Sequence, residues 1–88
     1  MLEVHTTNKF EKDYLLMRKR GFNMKLLQDI VFTLQLPEKL PAKNREHKLK
    51  GDYAEYKECH ILPDWLLIYQ QTATDLVLVR TGSHSDLF

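Results

Sequence analysis

The chain has 88 residues, 43% of them hydrophobic and 28% charged, with a formal net charge of +1. That describes one domain, residues 1–88, able to bury a core, and excludes a disordered segment. Its single cysteine, Cys59, excludes an internal disulfide and supplies no zinc-finger spacing, and no apolar run is long enough to cross a bilayer. The first twelve residues lack the apolar centre of a signal peptide, so a reducing cytoplasm is the expected address and Cys59 reads as a structural thiol.

Residues 2–6 (LEVHT) alternate weakly and predict a short strand. Asn8 and Glu11 have the spacing of a helix N-cap and its capping-box partner. Phe10, Tyr14 and Met17 follow at helical spacing, and Gly21 is placed to stop that helix. Asn23 is placed to cap a second helix, whose Leu27, Ile30, Val31 and Leu34 form one apolar stripe that Pro37 ends. The short link predicts an antiparallel helical hairpin.

Residues 37–46 read as a loop. After it the period changes to two. Residues 56–61 alternate, Pro63 and Asp64 make a turn, and WLLIYQQ (65–71) has the near-continuous apolarity of a strand buried on both faces. Residues 72–75 turn the chain back into a last strand, 76–80, and residues 47–50 allow one more short strand. The order predicts an α+β fold: an N-terminal strand, then a helical hairpin packed on one face of a curved, mainly antiparallel sheet. The opposite face is left for a site. Tyr53 and Tyr56 read as sheet-packing residues or as platforms for bases.

Charge is uneven along the chain. Residues 38–50 carry Lys39, Lys43, Arg45, Lys48 and Lys50 against Glu38 and Glu46, a balance of +3, whereas residues 51–88 stand at −4. The basic stretch suits phosphate, or is a solvated lysine-rich loop.

Three of the four histidines, His47, His60 and His84, fall in the second half, with Asp64 and Arg80. Strands about 4.8 Å apart place the two that flank a central strand roughly 10 Å from each other, so side chains on one concave face can converge. Metal-free RNA cleavage needs such a set. A base takes the ribose 2′-hydroxyl proton, an acid protonates the departing 5′-oxygen, and a cation holds the charge of the phosphorane. Histidine suits both proton tasks, because its pKa lies near neutrality. Arginine suits the third, with a fork of donors for phosphate oxygens. Taken singly, each histidine reads equally as a surface residue, Arg80 as a salt-bridge partner of Asp64, and the set His47, His60, Asp64 and His84 as a zinc site of irregular spacing.

The segment HKLKGDYAEYKECHILPDWLLIYQ followed by LVLVRTGSHSDLF resembles the YafQ branch of the RelE/ParE toxin superfamily. The resemblance spans the chain and is most specific from His47 onward, where H-x-L-x-G, Y-x-x-x-H-I, P-D-W-x-L-I-Y and R-T-G-x-H-x-x-L-F stand in order. It implies a RelE-like fold and a ribosome-dependent endoribonuclease that cuts mRNA in the decoding site, with no cofactor and no metal. It further implies neutralisation by a cognate antitoxin, with any DNA binding supplied through that antitoxin. It places catalytic positions on His47, His60, Asp64 and His84, the phosphate-binding arginine on Arg80, an RNA-placing terminal phenylalanine on Phe88, and structural support on Trp65. Lys57 stands where many relatives have arginine. A point charge cannot grip phosphate with a planar fork, which leaves most phosphate stabilisation to Arg80, with Lys57, Lys48 and Lys50 as further contacts. His84 is favoured as the acid and His47 or His60 as the base, assisted by Asp64. A ParE-like gyrase inhibitor without nuclease activity is the rival reading, and it needs none of these groups.

Overall fold

Thr7, not Asn8, caps the first helix. In the computed structural model, which describes residues 1–88, its side chain accepts the Phe10 N–H at 3.0 Å and Asn8 is the first helical residue. Threonine ranks somewhat below asparagine as a cap, so intrinsic preference does not decide the choice here. Thr7 also donates its hydroxyl to the Val79 carbonyl at 2.7 Å, which ties the helix start to the sheet. The expected Asn8–Glu11 box is absent; Glu11 instead accepts from the Thr6 hydroxyl at 2.6 Å.

This helix, α1 (Asn8–Lys19), ends as expected at Gly21, whose φ of 86° is open to glycine at little cost. The Phe22 N–H bonds the Met17 carbonyl and the Gly21 N–H bonds that of Arg18, the two bonds of a Schellman motif. Asn23 caps α2 (Met24–Gln35) by accepting the Lys25 N–H. The remaining elements are β1 (Glu3–Thr6), β2 (His47–Lys48), β3 (Lys57–Leu62), β4 (Trp65–Gln71), β5 (Asp75–Gly82) and the four-residue α3 (His84–Leu87). Short 3-10 turns occupy Ala42–Asn44 and Gly51–Tyr53.

The sheet order is β1-β5-β4-β3-β2. The meander β2–β5 is antiparallel throughout and β1 joins β5 in parallel. Phe10 and Met17 of α1 and Leu27 and Leu34 of α2 pack on one sheet face, against Cys59, Ile61, Trp65, Leu67, Tyr69, Leu76 and Leu78. Trp65 is fully buried, with Phe22 edge-on at 5.0 Å and its indole N–H donated to Thr81 at 2.9 Å. Burial, reinforced by Glu46 and Glu58, pushes the Cys59 thiol up to about 12, so it is an inert core residue at neutral pH. Tyr53 and Tyr56 do not pack in the sheet. They stand 6.3 Å apart in the stretch before β3, because the 3-10 turn at Gly51 delays the strand to Lys57.

Candidate active site

Strand alternation selects the residues of the open face. Cys59 and Ile61 point to the helices, so Glu58 and His60 point away. The register then runs His47–Glu58–Ile68–Arg80 across β2, β3, β4 and β5, with His60–Leu66–Gly82 as the next row. Arg80 reaches this face through an irregularity. Leu76 and Leu78 face the core, and strict alternation would send Arg80 there too. Between Leu78 and Arg80 the register slips by one residue: Tyr69 pairs Leu78 while Ile68 pairs Arg80. The extra residue, Val79, turns Arg80 outward and lets Thr81 take the core position.

The three imidazoles form a chain, with ring centroids 6.4 Å apart from His47 to His60 and 5.7 Å from His60 to His84. Each has its Nδ1 engaged. That of His47 meets the Arg45 carbonyl at 2.7 Å, that of His60 the Pro63 carbonyl at 3.2 Å, and that of His84 the Asp64 carboxylate at 2.5 Å. A carbonyl or carboxylate oxygen can only accept. The proton is therefore assigned to Nδ1 in all three rings, and Nε2 remains for chemistry. Asp64 also accepts the His84 backbone N–H at 2.9 Å. That bond first, and the imidazole second, hold the Asp64 carboxyl below its usual range, so it is ionised at neutral pH.

Glu58 escaped the sequence reading. Its side chain is only 8% exposed and one oxygen lies 3.5 Å from His47 Nε2 and 3.9 Å from His60 Nε2. The available signal was alternation, which puts Glu58 two residues from His60 on the same face. Asp13 was also missed, and Arg80 pairs with it rather than with Asp64. Arg80 donates Nε to Asp13 Oδ2 at 2.6 Å and Nη2 to Oδ1 at 3.1 Å. Asp13 further accepts the Thr81 N–H at 3.2 Å, on the edge of β5 that β1 has ceased to cover. This side-on grip orients the guanidinium and leaves Nη1 for another acceptor.

The tail is fastened without its last ring. Ser83 and Asp86 form a capping box on α3, and Arg20 grips Asp86 with bonds of 2.7 and 3.2 Å. Arg20 drives the Asp86 carboxyl far below the usual range. Gly82 leaves room for that carboxylate, since a Cβ there would lie 3.0 Å from the Asp86 side chain. Phe88 is 68% exposed, so the tail is not anchored by burying its ring.

The loop that delivers His47 is tied down at successive residues. Asn44 donates to the His60 carbonyl at 2.8 Å, Arg45 takes the left-handed φ of 49°, and Glu46 accepts from the buried Tyr69 hydroxyl. Burial, and then Glu46, push the Tyr69 phenol above its usual range, so it stays a donor. Tyr69→Phe should cost about 1–3 kcal/mol in a urea melt, because Glu46 loses its partner in a half-buried place. Amide exchange of residues 44–47 should also quicken at temperatures where the variant is fully folded, since the segment before His47 is released.

Lys57 does not join the site. It lies one residue from Glu58 and alternation turns it to the helix-side face, where it borders a shallow groove with Glu46, Glu38 and Gln71. Lys48, its register partner on β2, shares that orientation. Lys50 is exposed ahead of the Gly51–Tyr53 turn and makes no polar side-chain bond. His47, His60, Asp64 and His84 are brought together, with Arg80 on the same face.

Residues 2–88 match the family described as a bacterial toxin of type II toxin–antitoxin systems, YafQ. The chain is 36% identical over 89 residues to the mRNA interferase toxin YafQ of Escherichia coli K12, covering 98% of this chain and 95% of that one. A copper-bound mutant toxin from Helicobacter pylori superposes with a TM-score of 0.96 at 38% identity, with all of both chains covered. In the E. coli DinJ–YafQ toxin–antitoxin complex, the matched chain gives a TM-score of 0.92 at 34% identity, covering 99% of this chain and 97% of that one. With this agreement along its whole length, in sequence and in fold, the chain belongs to the YafQ family of bacterial toxins.

Proposed function

We propose that this chain is an endoribonuclease toxin that cuts mRNA on the ribosome and is neutralised by an antitoxin of its own. The observation that carries this reading is the row of imidazoles, each with a pinned Nδ1 and an available Nε2, beside an arginine with free donors. The 2′-hydroxyl proton passes to the His47–Glu58–His60 group as the 2′-oxygen attacks phosphorus. Arg80 Nη1 binds a non-bridging oxygen, on which charge accumulates. The bond to the 5′-oxygen breaks and His84 Nε2–H protonates it, Asp64 stabilising the imidazolium that acts as acid. The products are a 2′,3′-cyclic phosphate and a 5′-hydroxyl. Phe88 places a base by stacking.

The protein supplies base, acid and cation, so the reaction as drawn needs no metal. Imidazoles also bind copper, and a relative was crystallised with it. Copper on these Nε2 atoms would take the lone pairs that carry protons, and added copper should inhibit. Support for a ribosomal substrate comes from the +3 stretch at residues 38–50, with Lys43, Lys48 and Lys50 exposed. The DinJ–YafQ complex supports a protein antitoxin. No helix is long and apolar enough to cross a membrane, and the cytoplasm is where this substrate lies.

The test is end-mapping of mRNA after incubation of the protein with translating ribosomes in excess chelator. New ends bearing 5′-hydroxyls are expected. Intact mRNA together with poisoned gyrase would replace this reading by the inhibitor one.

A further inference from the structure

Beside the imidazoles lies a cleft of about 370 Å3 between the Ala42–Asn44 turn and the end of the β3–β4 hairpin. Lys43 and Arg45 form one bank; His60, Ile61, Leu62 and Pro63 form the other. Its volume is in the range of small-ligand sites, about 300–1,000 Å3. Of the residues that the family resemblance placed in the site, only His60 lines it; Lys43 and Arg45 come from the basic stretch.

The chemistry of the two banks differs in a useful way. Two cations stand on one side, with Leu62 and Pro63 as an apolar surface opposite. A ligand suited to both carries a phosphate and a flat, weakly polar ring. The rims are held in place. Asn44, itself buried, donates to the His60 carbonyl and so joins the banks at 2.8 Å. Arg45 is exposed and lines the cleft, and its carbonyl is bonded to His47. A molecule seated here therefore borders His60 directly.

We propose that this cleft is a nucleotide subsite. It seats the nucleotide next to the scissile phosphate, with phosphate toward Lys43 and Arg45 and base against Leu62 and Pro63, and it contributes the sequence preference of cleavage. The proposal rests on the catalytic reading above.

Nuclear magnetic resonance titration with adenosine 5′-monophosphate tests it. The probe should move the amide signals of Lys43, Arg45, Ile61 and Leu62, whereas inorganic phosphate at equal concentration should leave Ile61 and Leu62 unmoved. Leu62 is 42% exposed, so Leu62→Glu should leave the fold intact. It should take the apolar surface from the base and oppose the phosphate, weakening the nucleotide about tenfold. Lys43→Gln on the opposite bank provides a second variant. In ribosomal end-mapping, both should change the base preferred at one position beside the cut. Shifts confined to His47 and His84, or nucleotide affinity unaltered in both variants, would overturn the subsite. A protein that binds the nucleotide in the cleft but cuts no mRNA would sink the catalytic reading and keep the subsite as a binding site. A protein that cuts, with unchanged preference in both variants, would do the reverse.

Discussion

His84→Ala should lower mRNA cleavage by about 100- to 10,000-fold, the usual effect of losing a positioned general acid. The fold should survive, because α3 is held by the Ser83–Asp86 box and by Arg20, not by the imidazole. Circular dichroism and antitoxin binding should match the unaltered protein, and growth arrest should be relieved. Asp64→Asn should act in the same direction more weakly: an amide oxygen still accepts Nδ1–H but does not stabilise the imidazolium. The pH dependence follows from the depressed Asp64 carboxyl. Its contribution to holding His84 is present above the ordinary carboxylate value and is lost only as pH falls toward the lower folded value. Undiminished cleavage by a folded His84→Ala protein would remove His84 from the chemistry.

Arg80→Lys should reduce turnover by about 100- to 1,000-fold, with ribosome affinity little changed. Arginine has one edge for Asp13 and a second nitrogen for phosphate. Lysine has a single charged nitrogen, and Asp13 is the nearer claimant. The measurement is single-turnover cleavage set against ribosome binding. Asp13→Asn gives the complementary result, a smaller fall, because the cation remains but is oriented by a neutral partner. If Arg80→Lys cleaves as well as the unaltered protein, Arg80 serves only as the clasp between α1 and β5.

Periodicity revealed much of this architecture. The stripe of Leu27, Ile30, Val31 and Leu34 is the inner face of α2, and the run 65–71 coincides with β4. The short strand at His47 is present, and the sheet leaves one face for the imidazoles. The cap was misplaced by one residue because Thr7 also reaches Val79, a contact between residues far apart in the chain. The same applies to Asp13, which lies 67 residues from its arginine. Alternation, applied strictly, would have turned Arg80 into the core, since nothing local announces the slip at Val79. For β3 the failure was of a different kind. Alternation was visible there, but the family motif drew attention to Lys57 and away from Glu58, although the period places Glu58 beside the histidines.

The position of β5 has a consequence for the timing of synthesis. This strand is the last to be made, yet it lies between β1 and β4 and carries Arg80, with His84 just after it. Until it emerges, the first strand has no neighbour, and Arg80 and His84 are missing from the face that holds His47 and His60. A chain interrupted before β5 thus keeps β1 unpaired and Thr7 without the Val79 carbonyl, so the first helix locks onto the sheet only after the meander is finished.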